Sequence, residues 1–283
     1  MLNEVLVVIG TGGMGVSSAR RVGSGKTLLL ADFNESALEE IAETLRDEGQ
    51  QVETQVVDVS SRESVEALAR RAAELGPVRH VVHTAGLSPA QAPAEAILRV
   101  DLVGVALVLE AFEGVIAVGG SGVVISSSSA HMAPPLAPED QALLASAPIG
   151  ELLGLPLVAA ASADAGYAYM FSKLANQYRV RHASLAWGAR GARVNTISPG
   201  IISTKMGRQE LSGESGAGMR AMVEGSSTGR LGSPDDIAAA VEFLLSDAAA
   251  LITGTDLLVD GGVVAGVKSG RVDTSALGSM RED

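Results

Sequence analysis

The sequence predicts an α/β fold, a doubly wound parallel sheet with helices on both faces. Three observations carry this. Short aliphatic and β-branched runs alternate with longer segments of helical periodicity. The runs are apolar through their centres and polar at their flanks, as strands buried on both faces are. A glycine-rich turn joins the first such run to the first helical segment.

Val5–Ile9 is an unbroken aliphatic run and the first strand. Thr27–Ala31, Val52–Val57, His80–His83, Gly122–Ser126, Ala192–Ile197 and Asp256–Val259 are the later strands. Met14–Val22, Ser36–Glu48, Ser61–Leu75, Ala94–Phe112, Tyr167–Ala186 and Pro234–Leu245 carry apolar residues at helical spacing. Two segments break the rhythm. Residues 130–166 are rich in Ala, Leu and Pro, and predict short helices. Residues 201–229 are rich in Gly, Ser and Met, and predict a mobile substrate loop. Both follow strand ends, where open α/β sheets bind ligands. Residues 263–283 show no pattern and are expected to be an irregular tail. The 283 residues read as one domain.

Composition narrows the function. A net charge of −12 leaves no basic footprint for nucleic acid and repels anionic lipid. The absence of cysteine excludes disulfides and thiolate zinc sites. His80, His83, His131 and His182 lack metal-ligand spacing, so no metal is expected. Met1–Gly10 has no basic start and runs into the glycine turn, which predicts a strand rather than a leader. The longest uncharged apolar run, Leu152–Ala163, is broken by Gly154 and Pro156 and is too short for a membrane. A soluble cytoplasmic protein is the expectation.

Gly10-Thr11-Gly12-Gly13-Met14-Gly15 satisfies G-x-G-x-x-G between a strand and a helix. Such a turn brings a pyrophosphate against a helix N-terminus, although ordinary β–α turns are also rich in glycine. Asp32 ends the second strand, where a carboxylate accepts hydrogen bonds from both ribose hydroxyls and repels a 2′-phosphate. Phe33 and Asn34 add no compensating charge, so NAD is favoured over NADP. The competing reading of Asp32 is a helix cap. Asp58, after the third strand, either meets an adenine amino group or makes a turn.

Tyr169 and Lys173 stand one helical turn apart on one face. A phenol with a pKa near 10 is a weak base at neutral pH, and a neighbouring cation favours its phenolate. Such a phenolate can take the proton of an alcohol. By itself the spacing also arises by chance on amphipathic helices. Ser126-Ser127-Ser128-Ser129 ends the Gly122–Ser126 strand, where a hydroxyl can polarise a substrate oxygen or merely close a turn.

Taken in order, these motifs resemble the short-chain dehydrogenase/reductase family over roughly residues 3–262. The matching residues are Thr11–Gly15, Asp32, Asp58-Val59, His83-Thr84-Ala85-Gly86, Ser128, Tyr169 with Lys173, Ser198-Pro199-Gly200, and Leu258–Gly262. The resemblance implies a seven-stranded Rossmann-like sheet and hydride transfer with a nicotinamide cofactor. It implies a Ser128–Tyr169–Lys173 site, with Ser127 as the main rival to Ser128. Lys173 would also hold the nicotinamide ribose. Gly10, Gly12, Gly13, Met14, Gly15, Asp32, Phe33, Asp58, Val59, Thr84, Ala85 and Gly86 would line the cofactor. Pro199, Gly200, Ile202 and Thr204 would hold its carboxamide and pyrophosphate.

Three departures stand out. The glycine turn is shorter than the usual one. Asp101 stands where the family carries its fourth catalytic residue, an asparagine, and an ionised Asp only accepts hydrogen bonds; either the proton relay is altered, or Asp101 is protonated or paired, with Lys173 near enough to be the partner. The gap between Ser128 and Tyr169 is long, and 130–166 resembles the helical insertion of some 3α-hydroxysteroid dehydrogenases and carbonyl reductases. The leucines of 143–157 could line a pocket, cover a subunit surface or pack on themselves. His83 is expected to be structural or near the cofactor, and His131 is a candidate to face the substrate.

The resulting expectation is an NAD-dependent enzyme that interconverts a secondary alcohol and a ketone. The expected substrate is hydrophobic and hydroxysteroid-like. A homodimer or homotetramer is expected, with contacts through Pro234–Val259. The alternatives are an NADPH-dependent ketoreductase and a nucleotide-binding regulatory protein without turnover.

Overall fold

The computed structural model describes residues 3–213 and 215–272. Seven strands form one parallel sheet: β1 Val5–Ile9, β2 Thr27–Asp32, β3 Gln51–Val56, β4 Val78–His83, β5 Ile116–Ile125, β6 Arg193–Pro199 and β7 Asp256–Val259. Their spatial order is β3-β2-β1-β4-β5-β6-β7. Parallel neighbours need crossovers, and helices supply them on both faces. The order reverses between β1 and β4, which opens a crevice at the carboxyl ends of those two strands.

The first crossovers are α1 Gly13–Val22, α2 Glu35–Asp47 and α3 Arg62–Leu75. Side chains alternate along each strand, so the core divides in two. Val5, Val7 and Ile9 pack with Val65, Leu68 and Phe112 on one face. Leu6 and Val8 pack with Ala19, Leu38 and Leu45 on the other. All five residues of β1 are fully buried, as the unbroken aliphatic run requires. β3 is an edge strand in which exposed Gln51 and Glu53 alternate with half-buried Val52 and Thr54, and Val56 at its end is exposed.

The expected helix Ala94–Phe112 is interrupted. α4 Ala94–Ile97 leads into a π-helical segment, Leu98–Gly104, and then α5 Val105–Glu113. Hydrophobic periodicity over so few residues does not separate a π turn from an α turn. The widened segment buries Leu98, Leu102 and also Asp101. β5 begins earlier than the apolar run suggests, because Gly119 and Gly120 interrupt its pattern while Ile116 already pairs with Val78.

After β5 come α6 Pro138–Ser146 and α7 Pro156–Ala161, with a 3₁₀ turn at Ile149–Gly154 between them. Their fully buried Leu144, Leu152 and Val158 join the core under α8 Ala165–Ala189. Arg179 of α8 donates to the carbonyls of Leu144 and Ala147, which closes the end of α6.

The stretch expected to be a mobile loop contains two helices, α9 Lys205–Ser212 and α10 Gly216–Gly225. Thr204 caps the first by accepting from Gly207 N at 3.0 Å. α11 Pro234–Leu245 begins with a Ser233/Asp236 capping box. The tail expected to be irregular starts with α12 Val263–Lys268. Asp260 accepts from Gly262 N and Val264 N to start that helix, and Val263 packs with Met222 and Val272. Residues 273–283 lie outside the described residues. No helix among the described residues is long and apolar enough to cross a membrane.

Two histidines of β4 lie in this core. Burial holds the His80 imidazole down to about 3, helped by Lys26 and Arg79; its Nδ1 lies 3.0 Å from Ser121 Oγ. Burial likewise holds His83 to about 3, helped by Lys173. The Ile9 backbone opposes this, though neither ring nitrogen of His83 reaches hydrogen-bond geometry. Both native values lie below the unfolded one, so below pH 6.5 the unfolded chain binds more protons. Each histidine then removes about 1.4 kcal/mol of stability per pH unit, levelling off near its native value. In urea unfolding between pH 6 and pH 4, His83→Asn should flatten the acid slope by about that amount relative to the parent. An unchanged slope would show that His83 titrates normally in the folded protein.

Candidate active site

The crevice begins at the glycine turn. Gly10 has φ +94°, a left-handed conformation that excludes most side chains. A Cβ on Gly15 would collide with the Gly10 carbonyl oxygen, so Gly15 is where α1 packs onto the turn. Gly12 faces open space and caps α1 without a side chain, leaving the first amides of α1 free for an anion. Across the crevice, Thr84 N and Ala85 N both donate to Ile9 O, and Thr84 Oγ1 donates to Gly10 O at 2.8 Å. The ends of β1 and β4 are thereby held together.

Asp32 stands at the next corner. Its Oδ2 accepts from Thr11 N at 2.7 Å and Thr11 Oγ1 at 2.9 Å, and its Oδ1 accepts from Asn34 N. The carboxylate is therefore oriented, with lone pairs left for a ligand. Asp58 closes a turn through Ser60 N and Ser60 Oγ, and also borders the cleft. Gly10, Gly12, Asp32, Phe33, Asp58, Val59, Thr84, Ala85 and Gly86 line this half, a space of about 480 Å³. Gly13 and Gly15 do not reach its wall, because Gly13 packs on Pro234 and Thr204 and Gly15 on Gly10. Met14, Pro199, Gly200, Ile202 and Thr204 line the adjoining half, which shares Thr84, Gly86, Leu87 and Met206 with the first.

α8 supplies Tyr169 and Lys173. Asp164 caps it, accepting from Tyr167 N at 2.7 Å. Lys173 Nζ lies 5.4 Å from the Tyr169 ring centre and 2.9 Å from Asp101 Oδ2. That contact is an ion pair by distance, although its angles are poor for a hydrogen bond and Oδ2 finds no other partner. Asp101 is fully buried, and its Oδ1 accepts from Leu87 N at 2.7 Å. Asn176, a buried residue the sequence did not single out, donates to Asp101 O at 2.9 Å. A Cβ on Gly86 would lie 2.9 Å from Asp101 Oδ2 and 3.1 Å from Lys173 Nζ, so this glycine leaves room for the pair.

The electrostatics follow from burial. Burial raises the Asp101 carboxyl, with Lys173 and Leu87 N–H pulling the other way. Burial also works against the Lys173 ammonium, but Asp101 and Tyr169 outweigh it and Lys173 is raised. These directions pull apart, since a raised Asp101 tends to hold the shared proton. The 2.9 Å contact and the Leu87 amide decide for the ionised pair. For Tyr169, burial raises the phenol, Lys173 lowers it, and Asp101 raises it again.

The serines divide by role. Ser126 Oγ is committed to Lys173 O at 2.8 Å. Ser127 is the serine whose hydroxyl lies near enough to Tyr169 to favour the phenolate. Its Oγ accepts from Ser129 N and Ser129 Oγ, which leaves its own proton to donate. Ser128 is buried at the cleft edge. Ser127 and Ser128 both line the cleft, where the chain turns into a 3₁₀ helix.

His131 does not line the cleft. Its Nε2 lies 2.7 Å from Asp256 Oδ2, under β6 and β7, where Asp256 Oδ1 also accepts from Thr196 and Ser198. The leucines of 143–157 do not line it either. Instead its substrate side is lined by Met132, Ile201, Met206, Met219, Met222 and Glu210. Glu210 was not legible beforehand, since one acid in a Gly- and Ser-rich segment reads as surface.

Residues 3–138 match the family described as short chain dehydrogenase, and residues 137–264 match Enoyl-(Acyl carrier protein) reductase. A short-chain dehydrogenase/reductase of Alternaria brassicicola, bsc3, is 39% identical over 94% of this chain and 97% of its own. A D-threitol dehydrogenase of Mycolicibacterium smegmatis is 30% identical over 91% of each. A solved short-chain dehydrogenase/reductase of Brucella melitensis, titled a glucose/ribitol dehydrogenase, superposes with TM-score 0.73 at 25% identity. It covers 93% of this chain and 97% of that one.

The buried pair makes a quantitative prediction. Lys173→Met leaves Asp101 buried without its cation and should cost about 3–5 kcal/mol in urea unfolding. Adding Asp101→Asn removes the stranded charge and keeps an acceptor for Leu87 N, so the double variant should regain at least about half of that loss. Additive losses would mean that the two groups are not coupled.

Proposed function

The chain belongs to the short-chain dehydrogenase/reductase family, a class of oxidoreductases, and we propose that it is an NAD-dependent enzyme interconverting a secondary alcohol and a ketone. One observation carries the reading: Tyr169, Lys173 and the Ser127 hydroxyl converge on one cleft, continuous with the Gly10–Asp32 crevice. A nucleotide-binding protein without turnover gives no reason for that convergence.

The crevice suits a dinucleotide. The uncapped start of α1 offers amides to a pyrophosphate, and Asp32 offers an oriented carboxylate to a ribose. Phe33 is largely exposed at the rim, where a base can stack. Bound there, a nicotinamide supplies the hydride acceptor or donor. The protein's own residues handle the proton. Tyr169 Oη takes it from an alcohol, or returns it to a carbonyl oxygen. Ser127 Oγ–H donates to the same substrate oxygen and stabilises charge that develops on it. Lys173 keeps a cation beside the phenol, and Asp101 holds that lysine charged and in place.

Cofactor choice follows from charge. Among the described residues, Asp32 and Asp58 are the only charged ones lining the Asp32 half of the cleft. A 2′-phosphate would meet carboxylates and no cation there. The methionine-rich substrate side favours an apolar substrate body.

Initial rates with a panel of secondary alcohols test the chemistry. Tyr169→Phe should lose at least about 100-fold in hydride transfer, and Ser127→Ala about as much, as general acid–base and oxyanion-donor losses do. Ser128→Ala should lose less than about tenfold. Full activity in Tyr169→Phe would overturn the proposal, and a reversed serine result would return the role to Ser128. Separately, kcat/KM should favour NAD over NADP by at least about 100-fold, and Asp32→Ala should narrow that ratio by about tenfold or more. A preference for NADP in the parent would reverse the assignment.

A further inference from the structure

The outer wall of the substrate cleft is apolar except at one point. Met132, Ile201, Met206, Met219 and Met222 form it, and Glu210 of α9 interrupts it. The other charged residues lining this side are Asp101 and Lys173, which neutralise each other at 2.9 Å. Glu210 therefore sets the net charge that a substrate meets. Burial holds its carboxyl above the ordinary range, and the Ser88 hydroxyl is the one group pulling it back; no cation contributes. Glu210 and Tyr169 line the same cleft, and the Glu210 charge adds slightly to the raising of the phenol.

A partly desolvated carboxylate accepts strong hydrogen bonds from neutral or cationic donors and repels anions. We propose that Glu210 reads the far end of the substrate: it selects an alcohol whose apolar skeleton carries a second hydrogen-bond donor, such as another hydroxyl, and rejects a carboxylate there. This deepens the dehydrogenase reading and rests on it. The methionines take the skeleton, whose shape they tolerate because their side chains are unbranched and adaptable. Glu210 then supplies the polar discrimination that an apolar wall cannot, since such a wall separates hydroxylated from plain analogues only weakly.

Three ring alcohols of one size serve as probes with NAD: cyclohexanol, trans-1,4-cyclohexanediol and trans-4-hydroxycyclohexanecarboxylate. The parent should prefer the diol to the carboxylate by at least about tenfold in kcat/KM, with most of the contrast in KM. Glu210→Gln should shrink that ratio about tenfold, and Glu210→Lys should invert it. An unchanged ratio in both variants overturns the role of Glu210 and leaves the dehydrogenase reading standing. Failure of the parent to oxidise any of the three at saturating NAD overturns both.

Discussion

A lysine ammonium is buried beneath the sheet's carboxyl edge, and most of the site is arranged to tolerate it. Lys173 is 4% exposed. An unpaired charge at that depth would lose its proton or destabilise the fold. Asp101 meets it from the π-helical segment, Leu87 N–H fixes the carboxylate, and Asn176 fixes the backbone that carries it. Gly86 has no side chain where one would displace either partner. The π turn, the loop after β4 and α8 are therefore joined at one point, directly beside Tyr169.

That arrangement sets the character of the phenol. An asparagine at 101 would leave Lys173 free to draw the Tyr169 proton away. The aspartate opposes it, so the phenol keeps its proton more firmly. A protonated phenol suits delivery of a proton to a carbonyl oxygen at neutral pH, whereas alcohol oxidation gains from alkaline conditions. Glu210 pushes the phenol the same way from the opposite wall.

The two halves of the cleft differ in how they are built. The Asp32 side consists of strand ends and short turns, shaped by backbone geometry and one oriented carboxylate. The methionine-rich side is carried by α9 and α10, helices that follow β6, and α10 packs through Met219 and Met222 onto α12. The helical stretch 138–161 contributes to neither wall. Its apolar residues pack into the core under α8, the helix that carries the catalytic pair. It acts on the site by supporting that helix.

Much of this was legible in the chain because it rests on short-range pattern. Strand and helix periods, the Gly10–Gly15 turn, the strand-end Asp32 and the Tyr169–Lys173 spacing are all set within a few residues. Their order along the chain was enough to place the crevice. The exceptions have physical reasons. A π turn differs from an α turn by too little to register in hydrophobic spacing, and a pair of glycines hid the start of β5. α12 is only six residues long, and Asp260 starts it through local hydrogen bonds that the side-chain pattern does not show. What only the tertiary structure decided were the meetings of distant segments: Asp101 with Lys173, His131 with Asp256 rather than the cleft, and Glu210 on the wall of the cleft that holds Tyr169. The direction in which a side chain points from a strand end depends on the turn that follows, and neighbours elsewhere in the fold set that turn.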